Sequence, residues 1–269
     1  RQVTSPDHAQ QSAALRIRGA SLGFGARTLW RELELTIAAG EFVAVLGPNG
    51  AGKSSLLRTI LGLAKLDAGS IELPNGRDRV GYIPQQRPFA PGTPLRAQDL
   101  VRLGIDGTRF GIPWPNRTAR RRVDELLTEV GAREYARVPV GLLSGGEQQR
   151  LRVAQALAGD PALVLADEPL LSLDLHHQRT VAGLLERVRH ERGASVLMVT
   201  HDINPVLGMV DRVLYLAGGS FRVGTPDEVL RSEVLGELYG TPVEVIRTKG
   251  RILVVGTPEM PGHQHGVRA

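Results

Sequence analysis

The chain has 269 residues, 42% of them hydrophobic and 23% charged, enough for one large core or for a domain with an inserted lobe. The absence of Cys excludes a disulfide framework, a thiolate zinc site and a thiol nucleophile, and no apolar run approaches the roughly 18 residues that a membrane-crossing helix requires. The net charge of +5 comes almost wholly from Arg, since Lys stands only at 53, 65 and 249, and the charges are too scattered for a nucleic-acid patch.

In chain order, RQVTSPDHAQQSAA (1–14) is polar, lacks the apolar core of a secretory signal and reads as a disordered leader. Short apolar runs from Ala20 to about Ile37 predict strands and a turn. EFVAVLG (41–47) is a continuous apolar run into Gly, as in a buried parallel strand. GPNGAGKSSLLRTILGL then turns and enters a helix, and VGYIPQ (80–85) predicts another short strand. From 86 to about 142, the Pro-rich turns RPFAPGTPL and GIPWPNR separate helical stretches, which predicts an inserted helical lobe. Within it ARRRVDELLTEV (119–130) spaces Val123, Leu126, Leu127 and Val130 at helical intervals, so its Arg cluster is expected on the solvated face of an amphipathic helix.

In LLSGGEQQR (142–150), Ser144 and Glu147 have the spacing of a capping box, which starts a helix at Ser144 running through Gln149, Leu151 and Val153. Gly145 and Gly146 bare the N–H groups of its first turn, an arrangement suited to an anion. ALVLADEP (162–169), SVLMVTH (195–201) and RVLYLAGG (212–219) read as strands, with a helix from about Leu175 to Glu191. Strands alternating with helices imply an open, largely parallel α/β sheet. PVEVIRTKGRILVVG (242–256) reads as a hairpin around Lys249 and Gly250.

The chemistry concentrates in a few places. GPNGAGKS (47–54) matches G-x-x-x-x-G-K-[ST]: Gly47, Gly50 and Gly52 let successive N–H groups face phosphate oxygens. Lys53 reaches the β- and γ-phosphates as a point charge, and Ser54 offers a hydroxyl to Mg²⁺. Asp167, at a strand end, suits the coordination of Mg²⁺, and Glu168 suits orienting or deprotonating a water. His201 can hydrogen-bond a γ-phosphate and the water. Gln85 can touch Mg²⁺ or water from a mobile segment, with Gln86 the competing position.

The order phosphate loop, Gln85, LSGGE, ADEP, SLD (172–174) and His201 resembles the nucleotide-binding subunit of ABC transporters over about residues 15–235. The resemblance implies a phosphate-loop ATPase core with a mostly parallel sheet, an antiparallel β subdomain and an inserted α-helical lobe. It divides the chain into a core (15–85 and 151–240), a lobe carrying LSGGE (86–150), a C-terminal hairpin (241–257) and a flexible tail (258–269). It assigns ATP to Gly47, Pro48, Asn49, Gly50, Ala51, Gly52, Lys53, Ser54 and Ser55, with Phe24 stacking on adenine and Trp30 as fallback. It implies a head-to-tail homodimer in which Ser144, Gly145, Gly146, Glu147 and Asp174 of one chain meet the ATP of the other. Catalytic roles fall to Glu168, His201 and Gln85, and Mg²⁺ to Ser54, Gln85 and Asp167. Ser172 replaces the Ala that many members carry before Leu-Asp.

One cassette without a translation-type linker or a repair-type coiled coil implies the ATP-hydrolysing subunit of a bacterial importer. It is expected on the cytoplasmic face of the membrane, docking its lobe on a permease that an extracytoplasmic binding protein serves, with no nucleic-acid partner. YIPQQR, DLVRLG and PVGLLSGGEQQRLRVAQAL most resemble ATPases of zinc/manganese importers, zinc ahead of manganese, with the iron-siderophore and cobalamin group next. His176 and His177 read as surface or interface residues. His263 and His265, two ligands on a flexible tail, make a poor metal site.

Overall fold

The computed structural model describes residues 13–25, 27–85, 87–107 and 117–256. Strands β1 (Ala13–Phe24) and β2 (Arg27–Ala38) form a long antiparallel ribbon. β1 begins inside the expected leader, because Ala13 and Ala14 are buried in the sheet rather than solvated. β3 (Phe42–Leu46) leads through the Gly-rich loop into α1 (Lys53–Ile60), and β4 (Ala68–Glu72) returns to pair with β1. After β5 (Val80–Ile83) come the helices α2 (Ala97–Asp106), α3 (Arg117–Glu129) and α4 (Gly145–Ala156). α4 runs across residue 150, so a lobe boundary drawn there would cut a helix. Then follow β6 (Leu163–Asp167), α5 (Leu175–Arg192), β7 (Ser195–Val199), β8 (Arg212–Ala217) and β9 (Ser220–Gly224). Two short helices, α6 (Pro226–Val229) and α7 (Ser232–Tyr239), precede a hairpin of β10 (Val243–Thr248) and β11 (Arg251–Gly256).

The central sheet has the order β5-β6-β7-β3-β8-β9, parallel except for β9. Its inner strands are apolar but for the end residues Asp167, Ser195 and Arg212, because both faces are covered. Phe42, Ala44 and Leu46 of β3, with Val164 and Ala166 of β6 and Val196 and Met198 of β7, enter a core shared with the helices. Val43, Val45, Leu163, Leu165, Leu197 and Val199 enter a second core against the antiparallel sheet and α1. Side-chain alternation along each strand thus joins two layers to one sheet.

The amphipathic reading of 119–130 holds: Val123, Leu126, Leu127 and Val130 are buried. At the start of α4 the capping box is complete, with Ser144 Oγ accepting from the Glu147 N–H at 3.3 Å and Glu147 Oε2 accepting from the Ser144 N–H at 2.8 Å. β4 and β9 had no apolar period to announce them; β4 is almost wholly exposed.

The hairpin turns at Lys249 and Gly250, both with positive φ. It is tied to the loop after β7 by one side chain. Asn204 donates through Nδ2 to the Ile252 carbonyl at 2.9 Å and accepts from the Ile252 N–H at 2.8 Å. Asn204→Ala removes both bonds and is expected to cost about 1–3 kcal/mol. Hydrogen exchange at the Ile252 amide should accelerate, and unchanged exchange there would refute the tie.

Candidate active site

Gly47 follows β3 at φ 139°, and a Cβ there would fall 2.0 Å from the Leu216 carbonyl oxygen of β8. Only glycine lets the loop leave the sheet at this point. Lys53 opens α1 and folds back along the loop, its Nζ donating to the carbonyls of Gly47 at 2.7 Å and Pro48 at 2.9 Å. Burial pulls its ammonium below the ordinary lysine pKa, and the nearby Glu168 and Asp167 oppose that shift. Arg27 braces the same loop through a bond to the Gly50 carbonyl at 3.1 Å. It opens β2, without a spacing that would have marked it in the sequence.

The acids stand across from the loop. Ser54 Oγ donates to Asp167 Oδ1 at 3.1 Å. Burial pushes the Asp167 carboxyl above the usual carboxylate range; the Ser54 bond works against that, and the neighbouring Glu168 charge adds to it. Glu168 has φ 48°, a left-handed conformation that is costly outside glycine, while its N–H donates to the Val199 carbonyl at 2.9 Å. That backbone turns Glu168 away from Asp167 and toward two partners. Gln85 Nε2 donates to its Oε2 at 3.1 Å, and His201 Nε2 lies 2.6 Å from its Oε1. Gln85 and His201 each stand just past their strands, β5 and β7, rather than in them. Gln86 lies outside the described residues.

A cavity of about 310 Å³ opens between these groups, lined by Asn49, Gly50, Gly52, Lys53, Ser54, Ser55, Glu168, His201 and Leu29, the last not anticipated from sequence. Gly47 and Pro48 face a neighbouring hollow of about 370 Å³ beneath the hairpin. Ala51 packs against the core under the antiparallel sheet. Phe24 ends β1 beside the turn, and its side chain lies outside the described parts. Trp30 cannot replace it as an adenine platform: it is fully buried, with Gly52 against its indole nitrogen. A larger groove of about 690 Å³ along α3 mixes Arg117, Arg120 and Arg121 with Asp124 and Glu125 and contains none of this chemistry.

Ser144, Gly145, Gly146, Glu147 and Asp174 do not line the phosphate-loop cavity. Asp174 instead caps α5, accepting from the His177 N–H at 2.8 Å. His176 opens α5 beside it, exposed, and His263 and His265 lie outside the described residues.

The Ser54 hydroxyl and the Asp167 carboxylate are the hard oxygen donors that Mg²⁺ takes together with substrate phosphates. Among the described residues no group of three or more His, Cys, Asp or Glu is placed to hold a metal.

Because burial raises Asp167, its contribution favours the folded chain at low pH and is lost as pH rises through the raised pKa. Above that raised pKa the ionised form is a cost. Asp167→Asn keeps an acceptor for Ser54 and removes the charge. It should raise the melting temperature of the nucleotide-free chain by roughly 2–4 °C for about 1 kcal/mol recovered. The gain should shrink as pH falls into the ordinary carboxylate range; a gain independent of pH would contradict this origin.

The sequence profile of the family described as ABC transporter matches residues 30–171. The zinc import ATP-binding protein ZnuC of Pseudomonas fluorescens is 35% identical over 229 residues, 85% of this chain and 83% of that protein. The iron(3+)-hydroxamate import ATP-binding protein FhuC of Bacillus subtilis is 33% identical over 235 residues, 84% of this chain and 87% of that protein. Among solved structures, a metal-chelate type ABC transporter in an inward-facing conformation superposes with a TM-score of 0.76 at 27% identity, covering 93% of this chain and 98% of that one. A dimeric ATP-binding cassette in a post-hydrolysis state with ADP and phosphate superposes with a TM-score of 0.67 at 30% identity, covering 78% of this chain and 98% of that one. A phosphate loop, an acid pair and an LSGGE helix on this fold agree with those likenesses: the chain belongs to the ABC transporter family, as one of its ATPases.

Proposed function

We propose that this chain is the ATP-hydrolysing subunit of an importer, working as a homodimer on the cytoplasmic face of a membrane and energising passage of a metal ion, zinc before manganese, through a separate permease. The observation that carries the catalytic part is the convergence of Gln85 and His201 on the two oxygens of Glu168, beside the cavity that Lys53 and Ser54 line. Among the described residues no helix is long and apolar enough to cross a membrane, which agrees with a separate membrane subunit. The metal cargo rests on likeness to ZnuC. The likeness to FhuC supports a second reading, an iron chelate as cargo.

In this mechanism the triphosphate lies along the loop Gly47–Ser55, and Lys53 exchanges its two carbonyl partners for phosphate oxygens. Ser54, Asp167 and Gln85 would hold Mg²⁺, which when bound neutralises charge on the β- and γ-phosphate oxygens. Glu168 orients a water in line with the γ-phosphorus and accepts its proton as the new P–O bond forms and the bridging bond to ADP breaks. His201 keeps the Glu168 carboxylate aimed in the nucleotide-free chain and turns its Nε2 to the γ-phosphate once ATP is bound. The first turn of α4, through Ser144, Gly145 and the backbone of Gly146, meets the γ-phosphate held by the other chain, and Asp174 lies along the seam. The absence of these residues from their own chain's cavity supports this two-chain division. The helical segment between β5 and β6 acts as the lobe that docks on the permease.

Glu168→Gln should bind ATP, lose hydrolysis by about 100-fold or more and accumulate an ATP-bound dimer by light scattering; parental turnover would refute the role given to Glu168. Ser144→Arg should leave nucleotide binding by the isolated chain intact and abolish hydrolysis. Loss of binding in the isolated chain would refute the two-chain site. Cells lacking the chain should lose zinc content and recover growth with added zinc; recovery with an iron chelate alone would favour the second reading.

A further inference from the structure

His177 has no part in the site so far, yet it touches both elements assigned to the second chain's nucleotide. Asp174 Oδ1 accepts from the His177 N–H at 2.8 Å, and Asp174 Oδ2 lies 2.8 Å from His177 Nδ1. One carboxylate thus caps α5 and pins the imidazole plane. The opposite edge of the ring rests on α4. A Cβ at Gly146 would fall 2.0 Å from His177 Cδ2 and 2.6 Å from Nε2. Gly146 is buried although it sits in the first turn of the helix, directly after exposed Ser144 and partly covered Gly145. The imidazole takes the space that a side chain at 146 would need. An Ala there would have to push the ring off Asp174. Ser172, in the loop before Asp174, has φ 62°, a strained conformation that persists only where surrounding contacts over-determine it.

We propose that His177 is a positioning residue: pinned by Asp174 and wedged against Gly146, it locks the seam loop (172–174) to the first turn of α4, so that both reach the second chain's nucleotide as one rigid piece. Glycine at 146 then has a reason beyond close approach of a phosphate. The proposal rests on the two-chain reading above.

A double-mutant cycle of Gly146→Ala and His177→Ala tests it, with turnover measured in the parental chain and ATP-dependent dimerisation in the Glu168→Gln chain. His177→Ala should lower kcat roughly 10- to 100-fold while leaving the affinity of the isolated chain for a fluorescent ATP analogue and its melting temperature unchanged, a split that a purely structural role would not produce. Gly146→Ala should cause a large loss with His177 present and little further loss once His177 is Ala. Should Gly146→Ala fail to fold, the kcat of His177→Ala and of the double variant still decides. Parental kcat in His177→Ala, or an equal penalty for Gly146→Ala in both backgrounds, overturns the proposal. If Glu168→Gln itself forms no dimer with ATP, the two-chain reading falls and takes this proposal with it. A dimerising Glu168→Gln chain with an additive cycle overturns the positioning role alone.

Discussion

Asp167, Val199 and Val45 lie abreast across β6, β7 and β3. Because three parallel strands end in step, the phosphate loop, the acid pair and the His201 loop leave the sheet at one edge. A slip of one residue in β6 would reverse which of Ala166 and Asp167 faces the helical core and carry Asp167 away from Ser54. The register is held by apolar packing on both faces, since each strand sends alternate side chains into two separate cores. The convergence of Ser54, Asp167, Glu168 and His201 is therefore a by-product of sheet packing, which holds these side chains in one place.

That rigidity extends into the helices through polar side chains of α4. Gln148 donates to the Val140 and Leu143 carbonyls, each at 3.0 Å, and accepts from the Phe89 N–H at 3.2 Å. Arg152 donates to the Arg87 carbonyl and lies over the Phe89 ring, 4.8 Å from its centre. The segment that follows Gln85 is thus bound to the helix that LSGGE begins.

The site is costly to the nucleotide-free chain. Lys53 and Asp167 are both buried, and each is driven toward its neutral form by loss of water. Glu168 and Ser172 hold left-handed backbone conformations. The Lys53 and Asp167 costs fall where phosphates and a metal would supply the missing charge, as expected of groups placed for a ligand rather than for stability.

Much of this was legible in the chain itself. Runs apolar but for their ends, leading into Gly47, into Asp167 and toward His201, marked buried strands, because a strand covered on both faces has few polar positions. The glycines around Lys53 marked a phosphate loop, since only a curled backbone presents consecutive N–H groups. Ser144 and Glu147 marked a helix start through purely local hydrogen bonds. What tertiary structure alone decided was non-local. Strand order and register brought Gln85 and His201 onto Glu168. Packing buried Trp30 and removed it as a nucleotide platform. Arg27 reached Gly50, Asn204 reached Ile252 and His177 came to rest on Gly146 without any periodicity to announce them. Local propensity and spacing act over a turn or a strand, whereas these contacts join residues that only the assembled fold brings within a few ångströms.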